Sequence, residues 1–400
     1  LKQRCRRCQL DSGLARFCNQ PKRLLRIRAK FAMLLCARFA FALGTLSFAV
    51  EASIAAPLCS PNATASDILA GQDFSGKIVV VTGGDSGLGF ATALAVAQRG
   101  ATVVIGNHNA THGAEAAKEI EKQTGAEVIV FPLNLGSLAS VRAFAASFEK
   151  RFGSRLHLLV NNAGIVSPSK KTDDGFETVF EVDYLGHFLL TELLLPALRA
   201  SKPSRVVNVA SGAHENACES AGWPIDCFKD WTYLPPPVVP RRPVTVHYKT
   251  GAAVVNSSSY GIAKFLNIQH AEELAHREKD NGIKAFSLTP GFALTSMTSG
   301  FDPTSPKSKA FCEQQVHPDP SLPPNPCPFS AEQGAAVIAL CASSEVVQSG
   351  AYYSRTFACE ARPVVAHGFT EAMRGELYDR SRRWAGLAAP YGPTEEAVLV

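Results

Sequence analysis

Short apolar runs rich in β-branched residues recur along the chain at 77–81, 101–105, 127–131, 155–160, 204–210 and 283–289. Between them lie longer stretches with helical spacing of apolar positions, at 137–151, opened by Ser137, at 176–200 and at 258–279. Strands alternating with helices predict an α/β fold, a doubly wound parallel sheet of Rossmann type with helices on both faces. Near the end, Ser330-Ala331-Glu332-Gln333 has the form of a capping box and predicts a helix to about Ala342. Tyr352-Tyr353-Ser354 then reads as a last strand and 371–384 as a terminal helix. The pattern divides the chain into a leading segment 1–57, a polar linker 58–75, a single domain 76–390 and a tail 391–400. Irregular, Pro-rich composition marks two insertions in that domain, at about 213–257 and 296–329.

The first strand carries the most specific local signal. Lys77 to Val81 runs into Thr82-Gly83-Gly84-Asp85-Ser86-Gly87-Leu88-Gly89 and then an apolar helical stretch, so the order is strand, tight turn, helix. Gly83 lets the chain turn, Gly87 removes a side chain where a pyrophosphate approaches the backbone, and Gly89 lets helix and strand pack closely. The free N–H groups and positive dipole end of the helix would face the phosphates. An ordinary strand-to-helix turn also accounts for these glycines taken alone.

Three further motifs follow in order: Asn161-Asn162-Ala163-Gly164, Tyr260-x-x-x-Lys264 and Pro290-Gly291-x-x-x-Thr295. With the glycine turn they resemble the short-chain dehydrogenase/reductases. The runs Asp183-Tyr184-Leu185-Gly186-His187-Phe188-Leu189-Leu190 and Arg205 to Ser211 look most like the retinol-dehydrogenase-like group of that family. The likeness covers about 76–296 and returns more faintly from 330 to about 386.

That resemblance implies an NADP(H)-dependent enzyme interconverting a carbonyl and an alcohol on a small lipophilic substrate such as a retinoid, steroid or long-chain aldehyde. Tyr260 and Lys264, four apart on one helix face, can point into one cleft. A phenol titrates near 10, so Tyr260 needs the nearby Lys264 cation to exchange a proton near neutrality. Ser211 would orient the substrate oxygen. By the same resemblance Thr82, Gly83, Ser86, Gly87, Leu88, Gly89, Asn162, Ala163, Gly164, Pro290, Gly291 and Thr295 line the cofactor site, and Lys264 also holds the nicotinamide ribose. At the end of the second strand, Asn107 and His108 stand where an acid would bind ribose hydroxyls and repel a 2′-phosphate. Asn107 is neutral, and His108 stands where the similar retinol-type enzymes usually carry an Arg, which favours NADP(H), with NAD(H) still open. No metal is implied.

Two positions depart from the family. Asn134 stands where an Asp is usual near the adenine, and Asp183 stands where an Asn is usual beside the Lys. A carboxylate there accepts hydrogen bonds but cannot donate as an amide does, and it can pin Lys264 as an ion pair. Two rival readings follow, a protochlorophyllide-reductase-like activity and a cofactor-binding sensor with little turnover. Within the insertions, Trp223, Trp231 and Tyr233 are placed either on a wall of the cleft or as anchors of a surface loop. Phe292, Phe301 and Phe311, in the Pro-rich stretch around the second of them, form either a mobile apolar lid or a disordered surface loop.

Charge and cysteine content bear on partners and compartment. Residues 1–50 hold eleven Lys and Arg against one acid, so they contribute +10 of the net +5 and the remainder carries −5. A mildly acidic catalytic part gives no sign of a nucleic-acid surface. The basic stretch ahead of the mostly apolar residues 31–50 suggests a signal peptide or membrane anchor, with an organelle presequence as competitor. The first choice places the protein in the endoplasmic reticulum or secretory pathway. Cys218 with Cys227, and Cys312 with Cys327, sit inside the insertions where a disulfide can staple a loop, and Asn62, Asn109 and Asn256 open glycosylation-type tripeptides. Oligomeric state has no signature in the sequence.

Overall fold

The structure, a computed structural model, describes residues 58–167, 170–236, 244–248, 251–255, 259–298, 301–302, 304–313 and 324–387. These belong to a unit running from Pro57 to Val400. The expectations for the leading segment 1–57, the tail 391–400 and the tripeptide at Asn256 lie outside the described residues.

The expected alternation is present. The chain forms β1 (Ile78–Thr82), α1 (Gly87–Ala97), β2 (Thr102–Asn107), α2 (Ala110–Thr124), β3 (Val128–Pro132), α3 (Leu138–Phe152) and β4 (Leu158–Asn161). It continues with α4 (Gly186–Ala200), β5 (Ser204–Val209), α5 (Tyr260–Arg277), β8 (Ile283–Thr289), α6 (Ala336–Ser343), β9 (Tyr352–Ser354), β10 (Glu360–Arg362) and α7 (Glu371–Trp384). Strands β6 (Val244–Tyr248) and β7 (Gly251–Val255) pair as a separate antiparallel hairpin within the first insertion.

The main sheet has the order β10-β9-β8-β5-β4-β1-β2-β3. All neighbours are parallel except β9 and β10. Its apolar runs are continuous because both faces are covered. Ile78 and Val80 join one core cluster with Phe144, Phe148 and Phe188. Val79 and Val81, one residue out of step, join the other with Val96 and Ile338. The winding direction reverses between β1 and β4, so a crevice opens beyond their carboxyl ends.

Residues 58–75 are not a linker. Cys59, Leu69 and Phe74 are buried in the second core cluster. Ala65–Ile68 forms a short helix capped by Thr64, and Cys59 is bonded to Cys359. A four-residue helix is too short to show a period, so only composition was readable there.

Candidate active site

The crevice is built first from backbone. Gly87, at φ 53°, starts α1 in a conformation that side chains disfavour. A Cβ on Gly89 would lie 2.0 Å from the Gly83 carbonyl oxygen and 2.6 Å from Asn162 Nδ2, so only glycine lets the turn close. Ser86 occupies the helix N-cap with no side-chain bond to the helix, and Leu88 is half-buried, which leaves the first N–H groups of α1 facing the crevice. Thr82 braces the opposite wall: its hydroxyl accepts the N–H groups of Asn162 at 2.9 Å and Ala163 at 3.0 Å. Asn162 Nδ2 returns a bond to the Thr82 carbonyl at 3.0 Å. His187, which the sequence reading did not single out, puts Nε2 2.9 Å from the same hydroxyl. Burial pulls its pKa down to about 3, so the ring is neutral.

Thr295 closes the crevice from a third side. A Cβ on Gly87 would meet Thr295 Cγ2 at 3.1 Å, so the Pro290-Gly291 loop and the glycine turn are in direct register. At the other end, Asn107 and Asn134 bond to nearby backbone. Asn107 is buried and its amide donates to the Asn109 carbonyl at 2.8 Å, while His108 is exposed. The Asn134 side-chain oxygen accepts the Gly136 N–H at 3.0 Å, closing its own turn.

A second group of side chains meets where β5 ends and α5 begins. Tyr260 is the first residue of α5, and its phenol lies within electrostatic reach of the Ser211 hydroxyl, on the residue preceding the turn at Gly212–Asn216. One helical turn on, buried Lys264 donates to the Val209 carbonyl at 3.2 Å and lies 5.3 Å from the Tyr260 ring centre. Asp183 faces it with an Nζ to Oδ2 distance of 3.1 Å. The other carboxylate oxygen accepts the Ile165 N–H at 2.8 Å. Gly164 makes the room, since a Cβ there would lie 2.9 Å from Asp183 Oδ2 and 3.1 Å from Lys264 Nζ.

Asp183 sits in a π-helical turn, Glu181–Leu185, within what the sequence suggests is one regular helix. The wider turn frees the Asp183 carbonyl, which accepts Asn267 Nδ2 at 2.9 Å. Asn267, three residues beyond Lys264, is the second residue the sequence reading missed; its place on the Lys264 helix face is the signal that was available.

The electrostatics follow from burial. Desolvation raises the Asp183 carboxyl against the pull of Lys264. For Lys264 desolvation is the largest effect and works downward, but Asp183 and Tyr260 together outweigh it, so the ammonium titrates above its usual value. Burial raises the Tyr260 phenol as well; Lys264 opposes the rise and Asp183 adds to it. The pair therefore presents Tyr260 with little net charge.

The insertions take different roles. Trp223 stacks on Tyr233 at 4.8 Å, Trp231 packs edge-on against Phe369 at 6.4 Å and Phe228 stacks on Phe265 at 4.5 Å. These rings tie the first insertion to α5 and the C-terminal segment, which supports the anchoring alternative. The Cys218–Cys227 bond closes the same loop. In the second insertion, Phe301 and Phe311 form an edge-to-face cluster with Phe292 just before it, centroids 4.6 to 6.3 Å apart, and Cys312–Cys327 staples the segment.

Among the described residues no cluster of His, Cys, Asp and Glu is arranged to hold a metal. No helix among them is long and apolar enough to cross a membrane, and residues 31–50 lie outside that set.

Comparison with known proteins places these features. The profile described as short chain dehydrogenase matches residues 77–222. Retinol dehydrogenase 12 of Mus musculus is 38% identical over 226 residues, 56% of this chain and 63% of that protein. The chain thus spans just under two thirds of that relative's length. Dehydrogenase/reductase SDR family member 13 of Homo sapiens is 34% identical over 326 residues, 80% of this chain and 75% of that one. Among solved structures, a putative uncharacterized protein from Mycobacterium paratuberculosis superposes with a TM-score of 0.55 at 26% identity, covering 82% of this chain and 99% of its own.

Proposed function

The chain belongs to the short-chain dehydrogenase/reductase family, in its retinol-dehydrogenase-like group, and we propose that it is an NADP(H)-dependent reductase of lipophilic carbonyl compounds with Tyr260 as proton donor. The observation that carries the proposal is Tyr260 beside buried Lys264 on one helix, with Ser211 acting on the phenol, in a fold whose glycine turn leaves no room for a Cβ at Gly89.

The cradle fits a dinucleotide. The start of α1 with Gly83, Ser86, Gly87, Leu88 and Gly89 takes the pyrophosphate, and Thr82, Asn162, Ala163 and Gly164 hold the opposite wall. Pro290, Gly291 and Thr295 meet the nicotinamide end, where Lys264 reaches the ribose. A bound nicotinamide supplies the hydride. Asn107 and His108 put no carboxylate where a 2′-phosphate would lie, which supports NADP(H); Asn134 contributes its backbone turn. Ser211 holds the carbonyl oxygen against the Tyr260 hydroxyl, and the phenol proton moves to that oxygen as the alcohol forms. Because Asp183 offsets the Lys264 charge, Tyr260 stays protonated and is poised to act as the acid that reduction needs. The Phe292–Phe301–Phe311 cluster beside the Pro290-Gly291 loop suits an apolar substrate. Three disulfides fit an oxidising compartment, as entry into the secretory pathway provides.

The same Asp183–Lys264 pair favours a second reading, a nucleotide-binding sensor with little turnover. One experiment separates the two: NADPH and NADH oxidation against retinal, steroid ketones and aliphatic aldehydes. Turnover with NADPH that falls by about 10²–10⁴ in Tyr260→Phe, with nucleotide binding retained, supports the reductase. Tight NADPH binding without turnover on any carbonyl supports the sensor, and tighter NADH than NADPH binding overturns the cofactor assignment.

A further inference from the structure

Arg355 follows β9 and is wholly buried, yet no carboxylate faces it among the described residues. Its Nε and Nη2 donate to backbone carbonyls instead, while buried Nη1 has no hydrogen-bond partner among those residues. Nε donates to Gln333 at 2.7 Å, and Nη2 to Ser60 at 3.1 Å, Pro61 at 2.7 Å and Ala63 at 3.1 Å. The guanidinium also lies over the Phe329 ring, 4.7 Å from its centre. Burying an unneutralised cation is costly. What an arginine fork achieves that an apolar side chain cannot is to hold several separate backbone segments at once.

Those segments lead to the crevice. Phe329 donates its N–H to the Phe292 carbonyl at 2.8 Å and accepts the Leu294 N–H at 2.9 Å. Its ring lies so close to Gly291 that a Cβ there would meet Phe329 Cε2 at 2.7 Å. Gln333 precedes Gly334, where a Cβ would lie 2.7 Å from Leu88 Cδ2 and 2.9 Å from Ala293 Cβ. One route from Arg355 thus ends on the Gly291–Thr295 loop and the other also touches the glycine turn. On the outer side, the carbonyls of residues 60–63 are fixed by the Cys59–Cys359 bond and by the Cys59 N–H on the Ala358 carbonyl at 2.9 Å.

We propose that Arg355, anchored by the disulfide-fixed strap 59–63, is a positioning residue that sets the spacing between the Gly291–Thr295 loop and the Gly83–Gly89 turn, and through it the affinity for the nucleotide. The inference rests on the reading that this crevice holds NADP(H). It assigns Arg355 no part in the proton step.

The test uses the full chain with two readouts, fluorescence titration with NADPH and amide hydrogen exchange of residues 290–298 without nucleotide. Arg355→Met is expected to weaken NADPH binding about tenfold and to speed exchange in that loop, while kcat at saturating NADPH stays within about twofold. Arg355→Lys should recover part of the affinity, since an ammonium still has three protons for the carbonyls. The double variant Cys59→Ser/Cys359→Ser keeps Arg355 and loosens its strap, so it should move both readouts the same way by a smaller factor; it carries the test if Arg355→Met does not fold. Unchanged binding and unchanged exchange in the folded variants overturn the inference. Failure of the wild-type protein to bind NADPH needs no variant to be seen, and it overturns the cofactor reading and this inference with it.

Discussion

Lys264 and Arg355 are both buried cations, 3% and 0% exposed, and the fold meets the cost of each in a different way. Lys264 faces a carboxylate at 3.1 Å, whereas Arg355 is held by four backbone carbonyls and an aromatic face. Neutralisation leaves Lys264 able to shape the field at Tyr260 only through what Asp183 does not cancel. The carbonyl cage leaves Arg355 charged; burial draws its pKa down to about 10, which still keeps the cation at neutral pH. Charge is thus managed where we propose that a proton moves, and put to holding geometry where segments must be kept together.

The sharpest way to break this comparison is to remove each cation. Lys264→Met leaves Asp183 buried and uncompensated, and is expected to lower stability by about 3–5 kcal/mol in urea denaturation. Adding Asp183→Asn to it should recover most of the loss. Arg355→Met leaves carbonyls but no charge behind, and should cost less, about 2–3 kcal/mol. The reverse order would mean that the Lys264–Asp183 pair is not buried as an ion pair.

Glu181 sharpens the contrast, as a buried acid in the π-helical turn with no ion pair among the described residues. Burial raises its pKa to about 7; the Thr172 hydroxyl opposes the rise, and Asp174 and Asp173 add to it. Its folded pKa lies above the ordinary carboxyl value, so the folded state binds the extra proton and stability falls as pH rises between about 4.5 and 7. Glu181→Gln should therefore stabilise the protein by about 1–2 kcal/mol at pH 8 and hardly at all at pH 4, read as a difference in denaturation midpoint.

The regular half of the molecule was legible because its strands are buried on both faces and read as unbroken apolar runs. Expected 77–81 and 283–289 became Ile78–Thr82 and Ile283–Thr289. Ser137 caps α3 as its sequence position suggests, accepting the Ser140 N–H. What stayed hidden depends on long-range contact. Cys59 and Cys359 are 300 residues apart, and no spacing rule connects them. The strap around Cys59 looks polar because its carbonyls, not its side chains, hold Arg355. The π-helical turn leaves apolar periodicity almost intact, and the side-chain directions of Asn107 and Asn134 are set by local turns that composition does not distinguish from ligand contacts. Trp223 and Trp231 are equally apolar whether they line a cleft or anchor a loop; only their partners Tyr233 and Phe369 decide.

The central claim is that Asp183 offsets Lys264 and so keeps Tyr260 protonated for carbonyl reduction. Its most direct test is the pH dependence of kcat for NADPH-driven reduction in the wild-type protein beside Asp183→Asn. With the carboxylate gone, Lys264 acts on the phenol unopposed, and the alkaline limb should move to lower pH by about one unit. A limb that stays in place, or moves to higher pH, would contradict the account.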